Sequence, residues 1–306
     1  VVLLAGQSNA TGAQSYAINS STKTNYFADR WRNGADGSDQ LAWEPWLVKP
    51  QRTKGWVSLD APQISAFTPS SGRQIFGPEI GLARQLWADD GTSVSIIKAA
   101  YPGSSLAIDW SPTRKNGYFH QMVEFVRTVM SNDAVGGRFD VLGALYWYQG
   151  ETDIVSLNWA TAYQNNLSKF LAAAAKQLPF MNGLNVIIAK ESQAAYIAWL
   201  RAQGPCPNCA AYLEGDTDVR AADDAVVASS TNVFEVDTLG LARATIGVHL
   251  TDRSELTLGE ELARASEGSL GLVVGSGPLA QTSSVRALRS AQRDKRQWTL
   301  FTNLET

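Results

Sequence analysis

The chain has 306 residues, with 26 basic and 29 acidic side chains and a formal net charge of −3. That length buries one large core. No apolar run is long enough to span a bilayer and no basic tract forms a stripe for phosphates, so neither membrane nor nucleic acid is an expected partner. The chain opens at Val1-Val2-Leu3-Leu4 with no methionine or charged leader, which reads as a processed or trimmed start with any targeting peptide out of view.

Val1 to Ala5 is a short apolar run stopped by Gly6, the pattern of a core strand entering a turn. Residues 13–75 are rich in Asn, Ser, Gly, Asp and Trp and are expected to be long irregular loops. After Pro78, Ile80, Ala83, Leu86 and Trp87 recur at helical spacing; Val94, Ile96 and Ile97 then suggest a strand, and Tyr101-Pro102-Gly103 a turn beyond it. Met122, Phe125, Val126 and Val129 share a helical face, Phe139 to Tyr148 reads as a buried strand, residues 159–178 as a helix and Val186 to Ala189 as another strand. A helix over 217–228, a strand over Val233 to Val236 and a last helix over 254–265 complete the series. Such alternation predicts a mainly parallel sheet covered on both faces.

The two cysteines lie in Cys206-Pro207-Asn208-Cys209. The spacing suits a local disulfide, free thiols, a redox pair or half of a zinc site, but only two histidines exist and no second CxxC completes a metal set. A disulfide favours an oxidising compartment, hence an extracellular or periplasmic location.

In an open α/β sheet, functional groups gather beyond the carboxyl ends of the strands. Gly6-Gln7-Ser8-Asn9, Tyr101 to Ser105, Gln149-Gly150-Glu151-Thr152-Asp153 and Glu191-Ser192-Gln193 all hold that position. Ser8, directly after a strand and a glycine, is a candidate nucleophile, although a serine there also serves as a helix cap. A serine needs a base, and histidine titrates nearest neutrality. His120 precedes an apolar helical stripe and reads as structural, whereas His249 sits between a strand and the last helix, where it can return to a pocket or remain a surface residue. Acyl transfer also needs donors for the developing oxyanion. The backbone amides of Ser8 and Gly103 and the side-chain amide of Gln149 are the candidates; Gln149 equally reads as satisfying backbone groups at a strand end.

Gly6-Gln7-Ser8-Asn9, Phe76-Gly77-Pro78-Glu79, Gly103-Ser104-Ser105-Leu106, Trp147-Tyr148-Gln149-Gly150-Glu151 and His249-Leu250-Thr251 together resemble the SGNH-hydrolase superfamily. More narrowly they resemble its sialate O-acetylesterase-like and carbohydrate esterase family six group, which includes acetylxylan esterases. The resemblance implies a flavodoxin-like three-layer α/β/α sandwich over residues 1–265 and leaves the C-terminal extension, 266–306, unexplained; its Gly- and Ser-rich, then basic composition reads as a β-rich appendage, a strand added to the body or a partly ordered tail. The resemblance also implies a two-step serine esterase without cofactor or metal, acting on an acetylated carbohydrate such as xylan, with Ser8 as nucleophile, His249 as base and Ser8, Gly103 and Gln149 as the oxyanion hole. The tryptophans of residues 13–75 either line a sugar cleft or pack against the body. One departure stands out: the family's Asp-x-x-His pattern is here Ile246-Gly247-Val248-His249, and isoleucine cannot orient an imidazole. Asp237, Asp252 or Glu151 can replace that carboxylate, or a Ser-His dyad operates. A sialate O-acetylesterase and an inactive carbohydrate-binding relative stay open as alternatives, as does the oligomeric state.

Overall fold

The computed structural model describes residues 1–13, 15, 39–44, 51–52, 57–58, 76–91, 94–137, 142–180, 183–244 and 246–269. Its first strand, β1 (Val2–Gly6), is an unbroken apolar run, and every residue of it is buried. A four-residue helix, α1 (Ser8–Thr11), follows directly. The next strands, β2 (Asp39–Glu44), β3 (Gln51–Arg52) and β4 (Val57–Ser58), lie within the stretch expected to be irregular. That expectation is corrected for these segments: β2 reads Asp-Gln-Leu-Ala-Trp-Glu, too short an apolar run to signal a strand, and pairing with neighbours supplies what the local pattern lacks.

Beyond them, helix alternates with strand: α2 (Glu79–Asp90), β5 (Ser95–Ala100), α3 (Tyr118–Val135) and β6 (Leu145–Tyr148). Two short helices, α4 (Glu151–Ile154) and α5 (Leu157–Thr161), precede α6 (Tyr163–Gln177) and β7 (Val186–Lys190). The series closes with α7 (Ala194–Ala202), α8 (Cys209–Ala228), β8 (Val233–Asp237) and α9 (Asp252–Ser269). Strand β6 is shorter than the span from Phe139 to Tyr148, and α9 runs past residue 265; residues 270–306 lie outside the described residues.

The core of the sheet is β5-β1-β6-β7-β8, all parallel, with β2 added parallel to β5 and β3 and β4 antiparallel to β2. Taken in chain order, the five core strands run second-first-third-fourth-fifth, the flavodoxin-like order. Period-two alternation divides each strand between two apolar layers. Leu3, Ile97, Trp147 and Ile188 face α3, α6 and α8, while Leu4, Ile96, Tyr146 and Ile187 face α2 and α9. The result is a three-layer α/β/α sandwich. Burying a Leu, Ile or Phe side chain contributes about 1.5–3 kcal/mol, so these two layers hold the strands rigid and leave their carboxyl ends to carry chemistry.

Candidate active site

Ser8 owes its position to Gly6. There β1 turns with φ +149°, and a Cβ at residue 6 would lie 2.0 Å from the Tyr148 carbonyl oxygen. Only glycine allows that approach. The turn sets Gln7, Ser8 and Asn9 at the carboxyl edge of the sheet, all buried, opposite the turn that follows β6.

Glu151 is the meeting point of the two turns. Ser8 Oγ donates to its Oε2 at 2.5 Å, Gln7 Nε2 donates to the same oxygen at 2.7 Å, and Asn9 Nδ2 donates to Oε1. Burial and then the neighbouring Glu191 carboxylate push the Glu151 carboxyl up to about 8, against the lowering effect of the Ser8 bond. At neutral pH it therefore holds a proton much of the time. Glu191 keeps its place through Arg243, whose Nη2 lies 2.9 Å from Glu191 Oε1, both side chains being almost fully buried.

The Gly103 loop is pinned from below by Asp153. Its carboxylate accepts from Leu106 N at 2.8 Å, Ala107 N at 3.0 Å and Gln149 Nε2 at 2.6 Å. Gly103 itself is exposed and adopts φ +70°. Gln149 is wholly buried, and its Nε2 also lies 3.0 Å from Gln7 Oε1 and 3.1 Å from the Ser104 carbonyl. Two amide hydrogens thus face three acceptors, so in this arrangement the Gln149 amide braces the loop.

His249 returns on a hairpin after β8. Ala244 N donates to the His249 carbonyl at 2.7 Å and Thr251 N to the Ala242 carbonyl at 3.1 Å. Asn9 then ties the hairpin to Ser8's neighbourhood: its Nδ2 donates to the Val248 carbonyl at 3.3 Å, and its Oδ1 accepts from Leu250 N at 2.9 Å. One side chain therefore holds the residues on both sides of His249. Arg243 Nη1 adds a bond to the Val248 carbonyl at 2.7 Å. The imidazole is largely buried, and its Nδ1 has no hydrogen-bond partner among the described residues. Burial first, and the Arg243 charge second, lower its pKa to about 4. The ring is neutral across the physiological range.

Among the proposed supporting carboxylates, only Glu151 stands beside Ser8, and none reaches Nδ1 of His249. Asp237 pairs with Arg220 at 2.6 Å and accepts from Leu239 N. Asp252 opens α9 and accepts from Arg253 N at 2.9 Å. His120 lies apart, its Nε2 2.8 Å from the Pro112 carbonyl. Cys206 and Cys209 form a disulfide. Asp153, Glu191 and Arg243 were not singled out as individual site residues from sequence. Asp153 had a signal, as a second carboxylate in the polar Gln149-to-Asp153 segment beyond a predicted strand; Arg243 had none.

Residues 1–267 match the family model described as carbohydrate esterase, sialic acid-specific acetylesterase. No curated protein matches in sequence. A solved structure of an Arabidopsis thaliana protein is similar at 18% identity and a TM-score of 0.56, over 88% of this chain and 98% of that one. A carbohydrate acetylesterase from Xanthomonas citri is similar at 17% identity and a TM-score of 0.55, over 88% of this chain and 56% of that one. NanS is similar at 12% identity and a TM-score of 0.53, over 86% and 95% of the two chains.

Proposed function

We propose that Ser8 is the nucleophile of a carbohydrate deacetylation, from the premise that the chain belongs to the sialic acid-specific acetylesterase family of carbohydrate esterases and is a carboxylic ester hydrolase. Ser8 Oγ donates to Glu151 Oε2 with no hydrogen bond to His249 among the described residues; on substrate binding it leaves Glu151 and attacks the acetyl carbonyl while neutral His249 takes its proton. The amides of Ser8 and Gly103 stabilise the oxyanion, and the Gln149 amide joins them when it leaves one of its acceptors. The sugar hydroxyl departs with the proton from His249. Water then attacks the acetyl-enzyme, giving acetate and free Ser8. The observation that carries this reading is the grip of Asn9 on both neighbours of His249, one residue from Ser8. Because Nδ1 has no partner among the described residues, the pair works as a Ser-His dyad with no carboxylate to stabilise imidazolium.

The proposed substrate is an O-acetylated polysaccharide such as acetylxylan. Two other readings each have a motive: O-acetyl sialic acid from the family's description, and a non-catalytic sugar binder from Ile246 and a ring nitrogen without a partner among the described residues. Acetate release is measured on acetylated xylan, O-acetyl sialic acid and 4-nitrophenyl acetate, with Ser8→Ala as control. Release lost in Ser8→Ala, together with an organophosphate adduct mapped to Ser8, supports the esterase; unchanged turnover in that variant removes the nucleophile. The relative rates on the two sugars settle the substrate, and sugar binding with neither release nor adduct leaves the non-catalytic reading. The Cys206–Cys209 disulfide supports an extracellular or periplasmic location.

A further inference from the structure

The helix α7 begins three residues beyond Glu191, at the same edge of the sheet as Ser8. Its Ile197 turns inward and is 2% exposed. Tyr196 and Trp199, at i and i+3, lie on one side of the helix and are only half-buried. Their rings are nearly parallel, 14° apart in plane with centroids separated by 6.1 Å.

This pair is built into the site's framework at both ends. On one side Gly247, two residues from His249, lies against the first turn of α7: a Cβ there would sit 2.7 Å from the Ala195 carbonyl carbon and 2.8 Å from Tyr196 N. On the other, the Cys206–Cys209 disulfide ties the loop after α7 to the start of α8, and Cys209 Sγ lies 3.8 Å from the Ile197 carbonyl. The backbone that carries the two rings is therefore anchored to the hairpin that carries His249. The stacked rings keep part of their surface open to water beside the site, where a flat apolar group can pack against them. A pyranose ring fits, because its C–H face is apolar and slightly positive while an aromatic face is negative.

Resting on the glycan-esterase reading above, we propose that Tyr196 and Trp199 form a stacking subsite for a pyranose ring of the glycan next to the acetylated residue. The subsite holds the leaving-group side of the substrate, and it makes the enzyme prefer chains over single sugars or aryl esters.

The test uses the full chain in two arms. In the first, kcat/KM is measured on acetylated xylan and on 4-nitrophenyl acetate for wild type and for the double variant Tyr196→Leu/Trp199→Leu, which keeps apolar bulk and removes both rings. The ratio of polymer to aryl rates is expected to fall about tenfold, the loss corresponding to one good aromatic contact; an unchanged ratio overturns the subsite. The second arm needs neither turnover nor a ring-deleted variant. Deacetylated xylo-oligosaccharides of one to six units are titrated into Ser8→Ala protein, with tryptophan fluorescence and calorimetry as readouts. Affinity rising with chain length, with a change in tryptophan emission, supports the subsite, whereas no binding at any length overturns it. If wild type releases no acetate from any substrate the esterase reading fails, and the second arm alone decides the subsite.

Discussion

Removing the Arg243 guanidinium while keeping the bulk of the stem, as in Arg243→Met, separates what the buried ion pair does for the fold from what it does for His249. Arg243 is 5% exposed and Glu191 fully buried. The guanidinium reaches Glu191 at 2.9 Å, the Val248 carbonyl at 2.7 Å and Thr238 Oγ1 at 3.1 Å. Without it Glu191 stays behind as a buried, uncompensated charge beside Glu151. Breaking such a pair costs about 3–5 kcal/mol, which urea denaturation monitored by circular dichroism resolves. Because most of that cost comes from the stranded carboxylate, Arg243→Met/Glu191→Gln should recover a large part of it. The same charge lowers the His249 pKa, second to burial. In Arg243→Met the acid limb of kcat/KM should therefore lie at higher pH than in wild type. A loss below about 1 kcal/mol, or a double variant no more stable than the single one, refutes the buried-pair account; an unmoved acid limb refutes the electrostatic link to the imidazole.

Stability should vary with pH through two opposed groups. His249 is depressed from 6.5 to about 4 when folded, so the unfolded chain binds more protons between those values and stability falls as pH drops through them. Glu151 is raised from 4.5 to about 8, so the folded chain holds the proton and stability falls as pH rises across that interval. The raised carboxyls of Asp153, Asp216 and Glu255 act in the same direction as Glu151. Urea midpoints from pH 3.5 to 9 should peak between about 4.5 and 6.5, with a shallower alkaline decline in Glu151→Gln; an unchanged decline would falsify the assignment to Glu151. Asp153→Asn leaves the Leu106 and Ala107 amides with a poorer acceptor, and kcat should drop by about one to two orders of magnitude through loss of loop position, measured on 4-nitrophenyl acetate. Ile246→Asp introduces a carboxylate at the place the family pattern assigns it. The acid limb of the pH–rate profile should shift upward and kcat should rise; a profile identical to wild type means that position 246 does not address the ring.

The parts of the fold legible in the chain are those whose signal is local. Val2 to Ala5 and Val186 to Ala189 are continuous apolar runs because both faces of their strands are buried, and helices α3 and α6 show one apolar stripe each. The loops beyond those strands followed from topology, since a parallel sheet aligns its carboxyl ends. What escaped depends on partners distant in sequence. Strand β2 is a strand through its pairing with β5, not through its own composition. Helix α7 has small and aromatic residues with one fully buried side chain, Ile197, so its period is faint. Arg243 gains its meaning from Glu191, 52 positions earlier, and a single arginine in Gly-Leu-Ala-Arg-Ala carries no mark of that pairing.

The Asn9 side chain bonds Leu250 across 241 positions of sequence. Closing so long a loop costs chain entropy that the contacts it brings together must offset. A nascent chain that has not yet delivered the hairpin around His249 holds Ser8 without the imidazole proposed to take its proton. If His249 is the base, a fragment ending before Leu250 should release no acetate until a complementing piece supplies that hairpin.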